Sequence, residues 1–299
     1  MELLKGKPVS DRIDEELRLV SSGIAPSKLV VYLVGADASS EVYSRSKVKK
    51  GERMGAEVVL RAFPKGAAQE EIEVQLNEDA DDPEVHGIMI ERPLPAGMRI
   101  HDLITRVPPS KDVEGLHPEN YGLLGMGRPR FIPPTPLGAL LLILHYGFQT
   151  DGKDIVIVGR SLNVGRPLAT LFSQKAPWGN ATVTLAHTRT RDLPLHTRRA
   201  DILITAVGRP GLINGDMIKK GAVLVDLGIT PTEKGILGDV DLGSVNDIAS
   251  AATPTPGGTG PVTVSSMFLN LYRAKIMAGS LDIDFTDELL RTVYEKRRQ

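Results

Sequence analysis

The chain has 299 residues, 41% of them apolar, which is enough for about two domains at roughly 150 residues each. Its 36 basic and 37 acidic residues leave a net charge of −1, which excludes the broad basic surface of a dedicated nucleic-acid binder. The absence of cysteine excludes disulfides, thiolate metal sites and a cysteine nucleophile, and suits a reducing cytoplasm.

The opening residues mix acids and bases and lack the apolar core of a signal peptide, so none is expected. Val9, Ile13, Leu17 and Val20 recur at helical spacing behind Pro8 and predict an amphipathic helix. A strand follows at Lys28–Val34, then a Gly35–Ser40 turn and a basic helix to about Met54. Glu57–Phe63 reads as a strand, Ala68–Leu76 as a helix, and His86–Ile90 as a short strand stopped by Pro93 and Pro95. This alternation predicts a parallel sheet. Val107–Pro136, with seven prolines, reads as mostly irregular backbone, a composition common in functional loops. Thr135 is expected to cap an apolar helix, Pro136–His145. Within it the run Ala139–Leu144 is far short of the ~20 residues a bilayer requires, so no membrane partner is expected.

A second alternating set begins at Asp154. Strands are expected at Ile155–Val158, Ala181–Leu185, Ile202–Ala206 and Ala222–Asp226, with helices at Val164–Gln174 and near Leu193–Arg199. A Pro/Gly loop, Thr253–Thr263, leads to a helix from about Val264 to Ala278 and a last helix at Asp287–Arg297. The fold class is therefore α/β with two domains: an N-terminal α/β domain on a parallel sheet, and a Rossmann-like nucleotide-binding domain.

In Val156-Ile-Val-Gly159-Arg160-Ser161-Leu-Asn-Val164-Gly165-Arg-Pro167, one glycine follows a buried strand and another opens a helix, the arrangement that lets backbone N–H groups approach a pyrophosphate. The spacing is not a strict GxGxxG, and an ordinary strand-to-helix turn is the alternative. The next strand leads into His187-Thr188-Arg189, with no acid before Asp192 to grip a ribose hydroxyl, while Arg160 and Arg189 offer charge to a 2′-phosphate. NADP is favoured over NAD, unless Arg189 and Arg191 merely solvate a helix start. Tyr43 and Lys47 stand four apart on one helix face and can address one ligand. Short-chain dehydrogenases use the same spacing, but within their nucleotide domain, whereas this pair lies over 100 residues before the glycine turn.

Together the motifs resemble the methylenetetrahydrofolate dehydrogenase/methenyltetrahydrofolate cyclohydrolase family over nearly the whole chain. They are Ser40-x-x-Tyr43-x-x-x-Lys47, Gly87-Ile-Met-Ile-Glu91-Arg-Pro93-Leu94-Pro95, Lys111-Asp-Val-Glu114-Gly-Leu-His-Pro-Glu-Asn120-x-Gly122 and Pro133-Pro-Thr135-Pro136-x-Gly138. The glycine turn, Gly238-Asp239-Val240 and Thr253-Pro-x-Pro256-Gly-Gly258-x-Gly260-Pro261-x-Thr263 complete the set. The resemblance implies a cytoplasmic homodimer of one-carbon metabolism and purine biosynthesis, with folate in a cleft between the domains. Residues 1–137, completed by helices at about 275–299, would bind folate, and residues 138–274 NADP. No metal is implied.

The implied reactions are hydride transfer from 5,10-methylenetetrahydrofolate to NADP, then hydrolysis of the methenyl product to 10-formyltetrahydrofolate. By resemblance Lys47 is the general acid/base, Tyr43 stacks on the aminobenzoate ring, and Glu91 and Glu114 complete the catalytic set, Glu114 toward the pterin. Ser40, Pro93, Leu94, Gly258, Pro261 and Thr263 would line the folate site. Thr135, Ala206, Val207, Gly208, Gly228, Ile229 and Gly260 would join Gly159, Arg160, Ser161, Val164, Gly165, His187, Thr188 and Arg189 around NADP. The family has Gln where this chain has Glu91, and Asp where it has Glu114. The first change adds a charge beside Lys47; the second moves a charge out by about one methylene. A dehydrogenase with weak or absent cyclohydrolase activity is thus an alternative, as are a dehydrogenase of another small substrate and a non-enzymatic nucleotide-binding protein.

Overall fold

The computed structural model describes residues 1–22, 25–35, 47–233 and 235–279. Ser40, Tyr43 and the expected helix Asp287–Arg297 lie outside them. The chain divides into two compact units, one of Met1–Arg12 with Pro133–Ser266, the other of Ile13–Ile132 with the described residues from Met267 onward.

Strand β1 (Glu2–Leu3) and helix α1 (Gly6–Ser21) open the chain, and the predicted stripe of α1 is buried at Val9, Ile13 and Leu17. Strand β2 (Ser27–Val34), helix α2 (described over 47–53), strand β3 (Ala56–Phe63), helix α3 (Gln69–Asp81) and strand β4 (Val85–Ile90) follow. The three strands form a parallel sheet in the order β3-β2-β4. Leu29, Val30, Val31 and Tyr32 in the central strand are fully buried, as expected for a strand covered on both faces, which is why it reads as a continuous apolar run. Helix α3 runs five residues past its expected end at Leu76. Its last turn carries Asp79, buried and held by Arg61 of β3 at 2.8 Å and by the Tyr32 hydroxyl.

The proline-rich stretch is more ordered than expected. Helix α4 (Ile100–Ile104) precedes it, and α5 (Pro118–Gly125) lies within it. Pro118 occupies the first turn, where its missing N–H is no loss, and His117 caps α5 by accepting the Glu119 N–H at 3.1 Å.

Helix α6 (Pro134–His145) starts two residues earlier than expected, so Thr135 sits inside the first turn and is not its cap. The Pro133 carbonyl accepts from the Leu137 N–H, and Pro134 and Pro136 fall where no donor is needed. Strand β5 (Asp154–Val158), helix α7 (Gly165–Ser173), β6 (Thr182–Ala186), α8 (Leu193–Thr197), β7 (Ile202–Thr205) and β8 (Val223–Asp226) follow. Then come the hairpin β9 (Thr230–Thr232) and β10 (Gly235–Leu237), helix α9 (Leu242–Val245), β11 (Ala251–Ala252) and α10 (Thr259–Ala278). Helix α10 begins five residues before the expected Val264, because Pro261 is tolerated in a first turn.

The large sheet is parallel in the order β1-β11-β8-β7-β5-β6. Residues 1–12 therefore belong with this unit and not with the expected 1–137 block: Glu2 pairs with Ala251 and Leu3 with Ala252. The chain passes from β6 back across β5 to β7, so order reverses between β5 and β7. Open α/β sheets bind ligands outside such a reversal, at the carboxyl ends of the strands.

Candidate active site

Strand register brings the expected cofactor segments to one edge. Val158 pairs with Ala186 and with Thr205, and Thr205 with Asp226, so residues 159–161, 187–189, 206–208 and 227–229 all leave the carboxyl ends of neighbouring strands. Gly159 sits at φ +129°, and a Cβ there would lie 2.5 Å from the Ala206 carbonyl oxygen. A Cβ on Gly165 would lie 1.9 Å from the Gly159 carbonyl oxygen. Both positions demand glycine, leaving the start of α7 bare for a pyrophosphate as a dinucleotide site requires. The Gly165 N–H also reaches the Ser161 hydroxyl, at 3.4 Å. We expect Gly165→Ala to lower the melting temperature and to weaken NADP binding by at least ~10-fold, since the collision is with backbone that cannot move without deforming the turn. Thermal melting and calorimetric titration check this, with unchanged NADP affinity as the contrary result.

Arg160 and Arg189 are exposed, and among the described residues no carboxylate pairs with either. His187 accepts the Arg189 N–H through Nδ1 at 3.1 Å, which leaves its Nε2 as the N–H donor when the ring is neutral. The residues fit a phosphorylated dinucleotide. Two buried carboxylates to which the sequence alone assigns no role brace this edge: Asp239 accepts the N–H groups of Val207, Gly208 and Arg209, and Asp226 that of Gly228. The only sequence signal for Asp239 is its place in the Gly238-Asp-Val block. Thr135 stands in the first turn of α6, while Gly258, Gly260, Pro261 and Thr263 lie around the start of α10 in this same unit. A Cβ on Gly258 would meet the Pro254 carbonyl oxygen at 2.6 Å, so this glycine too is required by close backbone.

The other unit holds the reactive cluster. Lys47, on the described part of α2, is only 2% exposed and is ion-paired with Glu91, the residue after β4. The Glu91 N–H bonds the Tyr32 carbonyl at 3.0 Å, continuing the ladder and fixing where its side chain starts. Glu114 is buried; its carboxylate accepts the Ile90 N–H at 3.1 Å and the Arg92 guanidinium at 3.0 Å. Each oxygen keeps a lone pair for another donor. Gly87 makes this placement possible, because a Cβ there would lie 2.7 Å from Val113, the residue that seats the Glu114 turn against β4. Beneath it Asp112 is fully buried, accepting from the His117 N–H and the Asn120 amide at 2.7 and 2.9 Å. Burial pushes its carboxyl up to about 6 despite those bonds. Sequence reasoning misses both Arg92 and Asp112, since neither carries a spacing signal.

Burial also lowers the Lys47 amine to about 8, with the negative charge of Glu114 pulling the other way. At pH 7 roughly a tenth of such an amine is neutral and can accept a proton. Pro93 is exposed and Leu94 half-buried on the segment that follows Glu91.

A glycine cradle at a sheet reversal and a buried lysine among carboxylates on a second α/β unit define a nucleotide-dependent enzyme of two α/β units. Comparison with known proteins makes this specific. The tetrahydrofolate dehydrogenase/cyclohydrolase catalytic domain matches residues 4–114, and that family's NAD(P)-binding domain residues 133–278. The "Bifunctional protein FolD 2" of Geobacter sulfurreducens is 41% identical over 284 residues, covering 93% of this chain and 98% of the relative. The crystal structure of the bifunctional FolD methylenetetrahydrofolate dehydrogenase/cyclohydrolase from Campylobacter jejuni is 40% identical with a TM-score of 0.87, covering 93% and 99% of the two chains. The Trypanosoma brucei enzyme, solved with NADP and an inhibitor, is 30% identical with a TM-score of 0.84, covering 93% and 96%. The chain belongs to the tetrahydrofolate dehydrogenase/cyclohydrolase family.

Proposed function

We propose that the protein oxidises 5,10-methylenetetrahydrofolate with NADP and hydrolyses the resulting 5,10-methenyltetrahydrofolate to 10-formyltetrahydrofolate. The observation that carries this reading is the buried, proton-accepting Lys47 on the unit matched by the family's catalytic domain, in a chain whose other unit presents the glycine cradle. NADP, held by the segments at 159–161, 187–189 and 206–208, supplies the hydride acceptor for the first step. The chain's own part in that step is orientation, because a folate nitrogen lone pair provides the push.

Hydrolysis needs a proton moved. In our reading the neutral Lys47 amine takes a proton from the water that bonds to the methenyl carbon. As the carbon–nitrogen bond then breaks, Lys47 returns that proton to the released folate nitrogen, and the hydroxyl left on the carbon gives up its own proton to solvent and becomes the formyl carbonyl. Glu114 faces the pterin through its spare lone pairs, with Arg92 and the Ile90 N–H holding it in place. Tyr43 stacks on the aminobenzoate ring.

Glu91 sets the balance between the two steps. Its carboxylate is ion-paired with the amine and, by its charge, favours the ammonium form of Lys47 in the same direction as Glu114, against the depression that burial creates. Glu91→Gln should raise hydrolytic turnover near neutral pH and move its ascending limb to lower pH, leaving hydride transfer nearly unchanged. A pH–rate profile checks this; a fall in hydrolysis would instead make Glu91 a participating base.

We read the protein as cytoplasmic, which the absence of cysteine supports, and as feeding formyl groups to purine biosynthesis. We also read it as a homodimer. The β9–β10 hairpin stands outside both parallel sheets with Ile236 and Leu237 exposed, apolar surface of the kind a second copy covers. Calorimetric titration with tetrahydrofolate separates this function from a dehydrogenase of another small substrate: binding is expected, and no binding would overturn the reading.

A further inference from the structure

We propose that Asp239 is the positioning residue of the cofactor edge, an internal anion that fills a backbone nest after β7 and thereby fixes the shape of residues 206–209. Gly208 takes a left-handed turn at φ +69°, which leaves three successive N–H groups facing one side. Oδ2 of Asp239 accepts from Val207 at 2.7 Å and Gly208 at 3.3 Å, and Oδ1 accepts from Arg209 at 2.6 Å. Such a run of N–H groups is an anion-binding concavity and, left open, would receive a phosphate. Here the chain supplies the anion itself.

Asp239 is fully buried and is held from several sides. Its carbonyl accepts the Ile213 N–H at 3.0 Å, and the next residue, Val240, donates its N–H to Asp226 at 2.9 Å. Asp226, at the end of β8, also takes the Thr205 hydroxyl at 3.0 Å and the Gly228 N–H at 2.8 Å. A Cβ on Gly228 would lie 2.3 Å from the Asp239 carboxyl carbon, so the glycine lets one carboxylate lie against both segments, that after β7 and that after β8. With the β7 nest filled, the turn at Gly159–Gly165 remains open to receive the cofactor's phosphates. The edge is set before the cofactor arrives, and binding incurs little ordering cost.

This inference rests on the reading that 206–208 and 228–229 touch NADP, and its tests separate the two. In the unsubstituted protein without NADP, the Val207, Gly208 and Arg209 amides should already be strongly protected from hydrogen exchange. Amides that exchange at open-loop rates overturn the inference with no variant needed. Asp239→Asn puts an amide donor where one of the N–H groups needs an acceptor. Calorimetry should show NADP binding weakened on the order of ten-fold or more, with tetrahydrofolate affinity unchanged. An NADP affinity within two-fold of the original overturns the inference. In that case unprotected amides in the variant would fault the assignment of 206–208 to the cofactor, and protected amides would fault the hold exerted by Asp239.

Discussion

Lys47→Met should lower methenyltetrahydrofolate hydrolysis by at least ~100-fold, the smallest effect usually seen when a general acid/base is removed. Methionine keeps the apolar stem that the site buries while deleting the amine. Hydride transfer should fall by less than ~10-fold, because its driving lone pair belongs to the folate. The change leaves Glu91 without its cation, so the double variant Lys47→Met/Glu91→Gln separates a lost base from a stranded carboxylate. Hydrolysis should stay equally low in both. If the double variant recovers hydrolysis, Lys47 acts only by neutralising Glu91, and its role as base is wrong. The affected reaction should also lose its ascending limb toward pH 8, since that limb belongs to the amine lowered by burial.

The second large effect concerns cofactor choice. Arg160 and Arg189 leave the ends of paired strands and meet no competing carboxylate among the described residues. Charged hydrogen bonds of about 1.5–3 kcal/mol each put the loss for Arg160→Ala/Arg189→Ala at roughly 3–6 kcal/mol, or about 10²–10⁴ in kcat/KM with NADP. With NAD, which has no 2′-phosphate, kcat/KM should hardly change. Steady-state kinetics with both cofactors decide it: parallel losses would show that the arginines shape the site and do not read the phosphate.

Much of this arrangement is legible in the amino-acid sequence. Apart from the two-residue β1 and β11, the strands of the two parallel sheets are short, largely apolar runs, a signal made locally, and the elements containing Val30, Val156 and Leu203 follow directly from it. The pairing of Lys47 with Glu91, 44 residues apart, is visible only through family resemblance, since no local period links them. Other features depend on contacts that leave no periodic trace. β1 is two residues long and is a strand solely because Ala251 and Ala252 accept it. Helix α5 hides in a proline-rich stretch whose composition argues against it, and depends on His117 as a cap. Asp239 looks like a turn residue in a glycine-rich block; its three N–H partners lie some 30 residues back and converge only when β7 and β8 pair.

The most direct test follows NADPH and methenyltetrahydrofolate absorbance together after the purified protein is mixed with 5,10-methylenetetrahydrofolate and NADP. NADPH should form, and the methenyl signal should rise and then decay to 10-formyltetrahydrofolate faster than its spontaneous hydrolysis, with the decay abolished in Lys47→Met. A chain that forms no NADPH, or whose methenyl signal decays only at the spontaneous rate, contradicts the account.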